Sequence, residues 1–225
     1  MIENVASKSK ALERSILLKY RSFIAACETV DLPLTDVSSF ETGYSYSSDE
    51  LQPSAFGMVT IKSFDRNGGF RPEGIKSILP IKKAYANKTV ELDDILVAHT
   101  DLTQEKEVVG NTIIVNGFYG FEKLLMSMDL VRVRSVSKTI GQSLLYACLS
   151  DSFKEWALGH CSGTTVVHLS KKALERFVIR VPKEPADQSL LTEMLSTLLL
   201  EQRNLIEKGQ ELKRQRSLLL KKYFE

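Results

Sequence analysis

The sequence predicts an α+β protein. One globular domain has a mixed or antiparallel sheet, an N-terminal helix before it and a long coiled-coil helix after it. Three observations lead there. Between residues 34 and 185, short runs rich in Val, Ile and Phe are broken by Gly, Asn, Asp and Pro, at separations too short for helical crossovers. After Pro185 no further Pro occurs, and Gly209 is the only Gly. Across that last stretch Leu191, Leu198, Leu205, Leu212 and Leu219 recur at the seven-residue spacing of one coiled-coil stripe. The expected divisions are 1–30 for the first helix, 31–185 for the domain and 186–225 for the long helix.

Residues 5–28 form the first helix, with Leu12, Ile16, Tyr20, Phe23 and Cys27 on one apolar stripe and Lys8, Lys10, Glu13, Arg14, Lys19 and Arg21 largely outside it. Pro33 ends it, because the residue before a Pro is pushed out of the helical region. Gly57–Ile61 reads as a strand, followed by a turn at Asp65-Arg66-Asn67-Gly68-Gly69. The apolar run Ile78-Leu79-Pro80-Ile81 carries a Pro that marks an edge or a bend. Ile95–Ala98 is a buried type of strand, Thr112–Val115 follows, and Leu130–Arg134 alternates with period two. Gly141–Gly159 reads as a helix with Leu144, Leu145, Cys148, Leu149, Phe153, Trp156 and Ala157 on one side. Val166–Leu169 is a strand, Lys171–Phe177 a turn of helix, and Val178–Pro182 closes the domain.

At ~1.5 Å per residue the last helix is about 58 Å long, enough to project beyond the domain. Its companion row, Leu195, Gln202, Gly209, Arg216 and Tyr223, is mixed. A simple parallel zipper needs that row apolar, so the pattern argues for strong pairing near the helix start and a different partner further on. Arg14-Ser15-Ile16-Leu17-Leu18-Lys19 is echoed by Arg216-Ser217-Leu218-Leu219-Leu220-Lys221. Either two Leu-rich helices match by chance, or the chain is one unit of a larger repeat that opens with the tail of the helix that also closes it.

Composition excludes several classes. The net charge of +2 does not by itself announce a nucleic-acid binder, so any basic face has to be made by folding. No apolar run approaches a membrane span, and Glu3, Asn4, Lys8 and Lys10 interrupt any signal-peptide core, which predicts a cytoplasmic protein. Cys27, Cys148 and Cys161 are too scattered for a disulfide framework or a metal knuckle. There is no Pro-Pro for a base-clamping methyltransferase loop and no Gly-x-x-x-x-Gly-Lys-Ser/Thr phosphate loop. Glu211-Leu212-Lys213 lies inside the long helix and reads as a surface pair. His160-Cys161-Ser162-Gly163 offers a nucleophile without an identifiable base, and a small buried thiol is the simpler reading. His99 and His168 lack ligand spacing, so no metal site is expected.

Binding chemistry is better represented. Tyr44, Ser45 and Tyr46 follow Gly43 in a segment expected to be exposed. Lys62, Arg66, Asn67 and Arg71 flank the Gly68-Gly69 turn; Arg suits guanine and Asn suits adenine, which makes Arg66, Asn67 and Arg71 the leading candidates. His99, Thr100 and Asp101 leave the strand Ile95–Ala98. Thr164, Thr165, Lys171 and Lys172 suit phosphates. Each residue taken singly reads more readily as a solvated loop residue; the group carries the argument.

The order of segments resembles the specificity subunit of type I restriction-modification systems, over some 190 residues. Leu92-Asp93-Asp94-Ile95-Leu96-Val97 is similar to the family's L-x-x-G-D-I-L, with Asp93 where Gly is usual. Val108-Val109-Gly110 resembles its V/I-G step. Gly163-Thr164-Thr165, Leu174 and Val181-Pro182 resemble the run that ends a target-recognition domain. Asp187-Gln188 stands where E-Q begins the long helix, and Leu212–Leu220 resembles that helix's L-x-x-x-R-x-x-L-L end. The resemblance implies a half-length specificity subunit with a single target-recognition domain. Such a subunit is a non-catalytic, sequence-specific reader of double-stranded DNA that dimerises through its helices, with Leu191, Leu198, Leu205, Leu212 and Leu219 in the interface. It implies docking to DNA methyltransferase (modification) subunits and to a restriction/translocase subunit in a prokaryotic cytoplasm. No cofactor is expected on this chain; S-adenosylmethionine, ATP and magnesium belong to the partners. The alternatives are a coiled-coil adaptor whose globular domain binds protein, and an enzyme with a site near Cys161.

Overall fold

The computed structural model describes residues 2–66, 68–101, 105–163 and 166–224, with side chains for all of these except 2–4, 6, 83, 84, 171 and 224. In chain order, helix α1 (Ile2–Ala26) leads to strand β1 (Thr29–Pro33), the single turn α2 (Leu34–Val37) and β2 (Ser38–Thr42). Then come β3 (Phe56–Val59), β4 (Lys76–Ser77), β5 (Thr89–Val90), β6 (Ile95–Ala98), β7 (Thr100–Asp101), β8 (Thr112–Ile114), β9 (Lys123–Met126) and β10 (Leu130–Ser135). Helix α3 (Gln142–Gly159), β11 (Cys161–Ser162), β12 (Val167–Leu169), α4 (Lys171–Arg176), β13 (Val178–Pro182) and α5 (Pro185–Phe224) complete the chain.

The domain is a layered α+β sandwich. Its central sheet has the order β2-β10-β6-β8, every pair antiparallel. A second sheet, β4-β3-β9-β5, is mixed, because β3 and β9 run parallel. Alternation along the strands explains the layering. Ile95, Val97, Ile114, Val131 and Val133 turn to a core shared with α1, α3 and α5. Leu96, Ala98, Ile113 and Leu130 turn the other way, onto Val59, Leu124 and Met126 of the second sheet. Strand β6 is therefore buried on both faces, which is why its sequence is continuously apolar. Arg132 lies on the second face and is buried, with carboxylates brought to it: it pairs with Glu41 and Asp94 and donates to Thr89 O at 2.6 Å. Those partners offset the cost of burying its charge.

Helices α1 and α5 pack antiparallel within the chain. Gly209 lies against Val5, Gln202 Nε2 donates to Ser9 O at 3.3 Å, and Tyr20 Oη donates to Arg180 O at 2.7 Å just before α5 begins. This corrects the expected helix faces. The mixed row Leu195, Gln202 and Gly209 is the buried seam, since α1 supplies the backbone acceptor that Gln202 needs and the close approach that Gly209 allows. Leu191 is buried and Leu198 packs on the domain core, so neither is free to meet a second copy. Leu205 and Leu212 are half-buried, and from Leu218 to Tyr223 the apolar residues are exposed.

Two further expectations change. Helix α1 stops at Ala26, so Cys27 lies beyond it. Strand β3 stops at Val59, because Thr60 caps a 3-10 turn at Ile61–Ser63. Ile78–Ile81 is a loop after β4, in keeping with the bend that its Pro marks. No helix among the described residues is long and apolar enough to cross a membrane. Asp93, at the position where the resemblance expects Gly, has a left-handed φ of 69° and pairs through its carboxylate with Arg203 of α5.

Candidate nucleic-acid interface

Register places several loops at one end of the sandwich. Thr42 at the close of β2 lies opposite Val131, and Leu130 at the opening of β10 opposite Ala98 at the close of β6. Thr112 at the opening of β8 lies opposite Val97. The loops 43–46, 99–101, 105–111 and 127–129 share that end. The turn after β3 is tied to it, since Asn111 Nδ2 donates to Asp65 O at 3.0 Å and Ser127 N to Val59 O at 2.9 Å. The small sheet β11-β12-β7 joins it through Thr100 and Asp101.

Most of the described candidates gather here. Lys62, Arg66 and Arg71 are exposed around one turn. Arg66 is held by Glu107 at 3.0 Å, and Arg71 precedes a 3-10 turn, its N–H donating to Ser63 O at 2.8 Å. The far side of this turn faces α1: a Cβ at Gly69 would stand 3.0 Å from Glu13 Oε2, and φ there is +96°. A cavity of about 540 Å³ separates this turn from α1 and α5, lined in part by Glu13, Phe70, Tyr119, Tyr146 and Gln210.

His99 and Tyr46 share a neighbour, Asp129. His99 N–H donates to Asp129 O at 3.1 Å, and burial holds the imidazole below its usual range, against the pull of the Asp129 carboxylate. Burial and the same carboxylate push the Tyr46 hydroxyl up. His99 Nδ1 is buried without a partner among the described residues, and His168 stands nearby with Nδ1 3.4 Å from Thr100 Oγ1. Asn67, Thr164 and Thr165 lie outside the described residues. Lys171 opens α4, and its side chain is likewise outside them.

Tyr44 is not a surface residue. It is 2% exposed, packed with Met58, Ile78 and Leu125. Its hydroxyl donates to the Glu50 carboxylate and accepts from Lys82 N–H at 3.2 Å. A Gly before two tyrosines cannot reveal a buried acid six residues on. Burial alone would raise the carboxyl of Glu50; hydrogen bonds from Tyr44 and from the N–H groups of Ser47 and Ile81, with the charge of Lys82, outweigh it and hold the group low.

Sequence reading also missed how the 105–110 loop is fixed. Asp101 Oδ2 accepts from Val108 N–H at 2.6 Å and Val109 N–H at 3.1 Å. Lys154 Nζ, on α3, donates to the carbonyls of Lys106, Glu107 and Val109 at 3.0, 3.0 and 2.7 Å. Burial lowers the Lys154 ammonium, with Asp101 and Glu107 pulling the other way. Such clasps position a loop, as a reading surface requires. No group of His, Cys, Asp and Glu suited to a metal ion occurs among the described residues.

No protein-family model and no curated protein matches this sequence. Solved structures do match. The S subunit of a type I restriction-modification system from M. genitalium superposes with a TM-score of 0.63 at 15% identity, over 100% of this chain and 57% of that one. A structure described as underlying complex assembly and conformational transition of the type I R-M system gives 0.51 at 17% identity, over 98% and 54%. The HsdS subunit from Thermoanaerobacter tengcongensis gives 0.51 at 16%, over 99% and 53%. The chain thus spans little more than half the length of the structures it matches. Its domain and both flanking helices have the fold of type I restriction-modification specificity subunits.

Proposed function

We propose that this chain is a sequence-specific DNA-recognition subunit of a type I restriction-modification system. It carries no catalysis of its own. The loops at the end of the sandwich read one half-site. The α1–α5 pair sets the distance to a second recognition domain and docks the modification and restriction subunits. The observation that carries the reading is the end-to-end agreement with specificity-subunit folds, recognition domain and helix pair together.

The second domain comes from a second copy of this chain. Helix α5 runs past Val5 for some fifteen residues, about 22 Å. Through the echo between the two helices, Leu218 corresponds to Ile16. Ile16 is 1% exposed in the core, whereas Leu218 is 59% exposed, beside Leu219, Leu220 and Tyr223. A residue type that is core in one half and bare in the other marks a surface awaiting cover. Two antiparallel overhangs cover each other and place two half-sites around a two-fold axis.

The test is reconstitution. The purified chain alone is expected to methylate nothing, and a cognate modification subunit with this chain is expected to methylate DNA at a bipartite, palindromic sequence. Unmethylated DNA in the mixture, with duplex binding insensitive to salt, refutes the reading.

A further inference from the structure

The loop after β4 is held more firmly than a connecting loop requires. Leu79 N–H donates to Glu50 O at 2.8 Å, Ile81 N–H to Glu50 Oε2 at 3.1 Å, and Lys82 N–H to Tyr44 Oη at 3.2 Å. Glu50 is 1% exposed, so a buried carboxylate and a buried phenol are committed to this backbone. Yet the loop shows apolar side chains to solvent: Leu79 is 46% and Ile81 71% exposed, on either side of Pro80. The frame thus holds a bare Leu and a bare Ile at fixed positions on the surface, where they add none of the stability that burial would give.

The surroundings specify the partner. Residues 74–90 contain Lys76, Lys82, Lys83 and Lys88 and no Asp or Glu, in a chain whose total charge is only +2. Lys88 is taken by Glu41 at 3.1 Å. Lys82 is exposed, and its Nζ donates to a neutral carbonyl, Ser45 O, at 2.6 Å. That bond also ties the loop to the 43–46 loop of the recognition end. Apolar residues flanked by lysines suit duplex DNA, where side chains such as Leu, Ile and Pro slip between base steps and cations meet the phosphates beside them. We propose that Leu79, Pro80 and Ile81 form an apolar wedge that enters a base step from the minor groove and bends the duplex, with Lys82 on an adjacent phosphate. This rests on the DNA-recognition reading and adds to it a contact that reads deformability rather than base edges. The Glu50 and Tyr44 bonds pre-order the wedge, so little ordering entropy is lost on insertion.

The test uses the full chain and a mixed-sequence duplex carrying a dye at each end. Anisotropy gives affinity, and energy transfer gives the end-to-end distance. The wild type is expected to bind with strong salt dependence and to shorten that distance. Leu79→Ala/Ile81→Ala, made at exposed positions and checked for an unchanged melting temperature, is expected to lose about tenfold in affinity and most of the shortening. Lys82→Ala is expected to lower the salt slope by about one while the bend stays. Glu50→Gln is expected to reduce the bend with the wedge side chains intact. A double variant that binds and bends like the wild type overturns the wedge and leaves DNA recognition standing. A wild type that fails to bind the duplex overturns DNA recognition itself. A double variant with unchanged bending but lost association with a modification subunit overturns the wedge in favour of a protein contact.

Discussion

Substitution of Gly209 sets two effects against each other at the helix seam. Gly inside a helix costs about 1 kcal/mol relative to Ala. Against that, a Cβ at 209 would stand 3.1 Å from Val5 Cγ1 and 3.9 Å from Val5 Cβ. This is a few tenths of an ångström too close, but the atom met is the end of a side chain that can give way. Relief of a contact like that costs a few tenths of a kcal/mol. Helix propensity therefore wins, and Gly209→Ala is expected to stabilise the protein by roughly 0.5 kcal/mol, about 1–2 °C in Tm for a chain of this size. Gly209→Leu keeps most of the propensity gain but must fit three more carbons where Val5 sits. Forcing the helices apart costs about 1–3 kcal/mol, a fall of roughly 2–12 °C relative to the Ala variant. Thermal unfolding followed by far-UV circular dichroism reads both, at one fixed protein concentration so that any self-association is constant. A Leu variant as stable as the Ala variant would refute the antiparallel packing of α1 on α5 at this level.

Three other outcomes are expected. Burial raises the Glu13 carboxyl above the ordinary carboxylate range, against the Tyr146 hydroxyl and Lys10, so this group favours the fold below the unfolded value and loses that contribution as pH rises through the folded one. Glu13→Gln should therefore stabilise at neutral pH, with a gain that vanishes toward pH 4.5 in urea titrations; a pH-independent gain refutes the assignment. Asp93→Gly trades about 1 kcal/mol of left-handed strain for a partly exposed ion pair worth up to about 1 kcal/mol, and its urea midpoint should hardly move. Asp93→Leu loses the pair, keeps the strain and should fall clearly below it. Phe153, fully buried and edge-on to Phe177 at 5.0 Å, should cost about 3–5 kcal/mol when cut to Ala, measured as a lower melting temperature.

What the sequence made legible follows from burial. Strand β6 and helix α3 carry continuous or periodic apolar runs because their faces are covered by neighbours, and both were readable. Strands β1 and β2 were not, since Ser38–Thr42 holds a single large apolar residue and its pairing with β10 comes from far along the chain. Two-residue strands leave no periodic signal at all. The long helix was legible in length, but its faces were not. Gln202 and Gly209 looked like defects of a zipper because their partners, Ser9 O and Val5, lie some two hundred residues away. At the site, Arg66 and Arg71 were readable as exposed turn residues, whereas Tyr44 was misplaced because only tertiary structure brings Glu50 and Lys82 to its hydroxyl. The Lys154 and Asp101 clasp on the 105–110 loop gave no sequence signal, since neither residue differs by type from an ordinary surface charge.

Strands β1 and β13 pair along their whole length, Thr29 opposite Pro182 and Pro33 opposite Val178, and Lys183 N–H closes on Glu28 O at 2.8 Å. The chain thus enters and leaves the domain through two segments that lie side by side, while the sheet packs on the helices beyond them. Loops at the far end can lengthen, shorten or change chemistry without altering that junction. An insert whose own first and last strands pair this way, and which offers the helices a comparable apolar face, can be grafted between Glu28 and Lys183. A chimaera built at those two residues would carry a new domain on an unchanged helical frame.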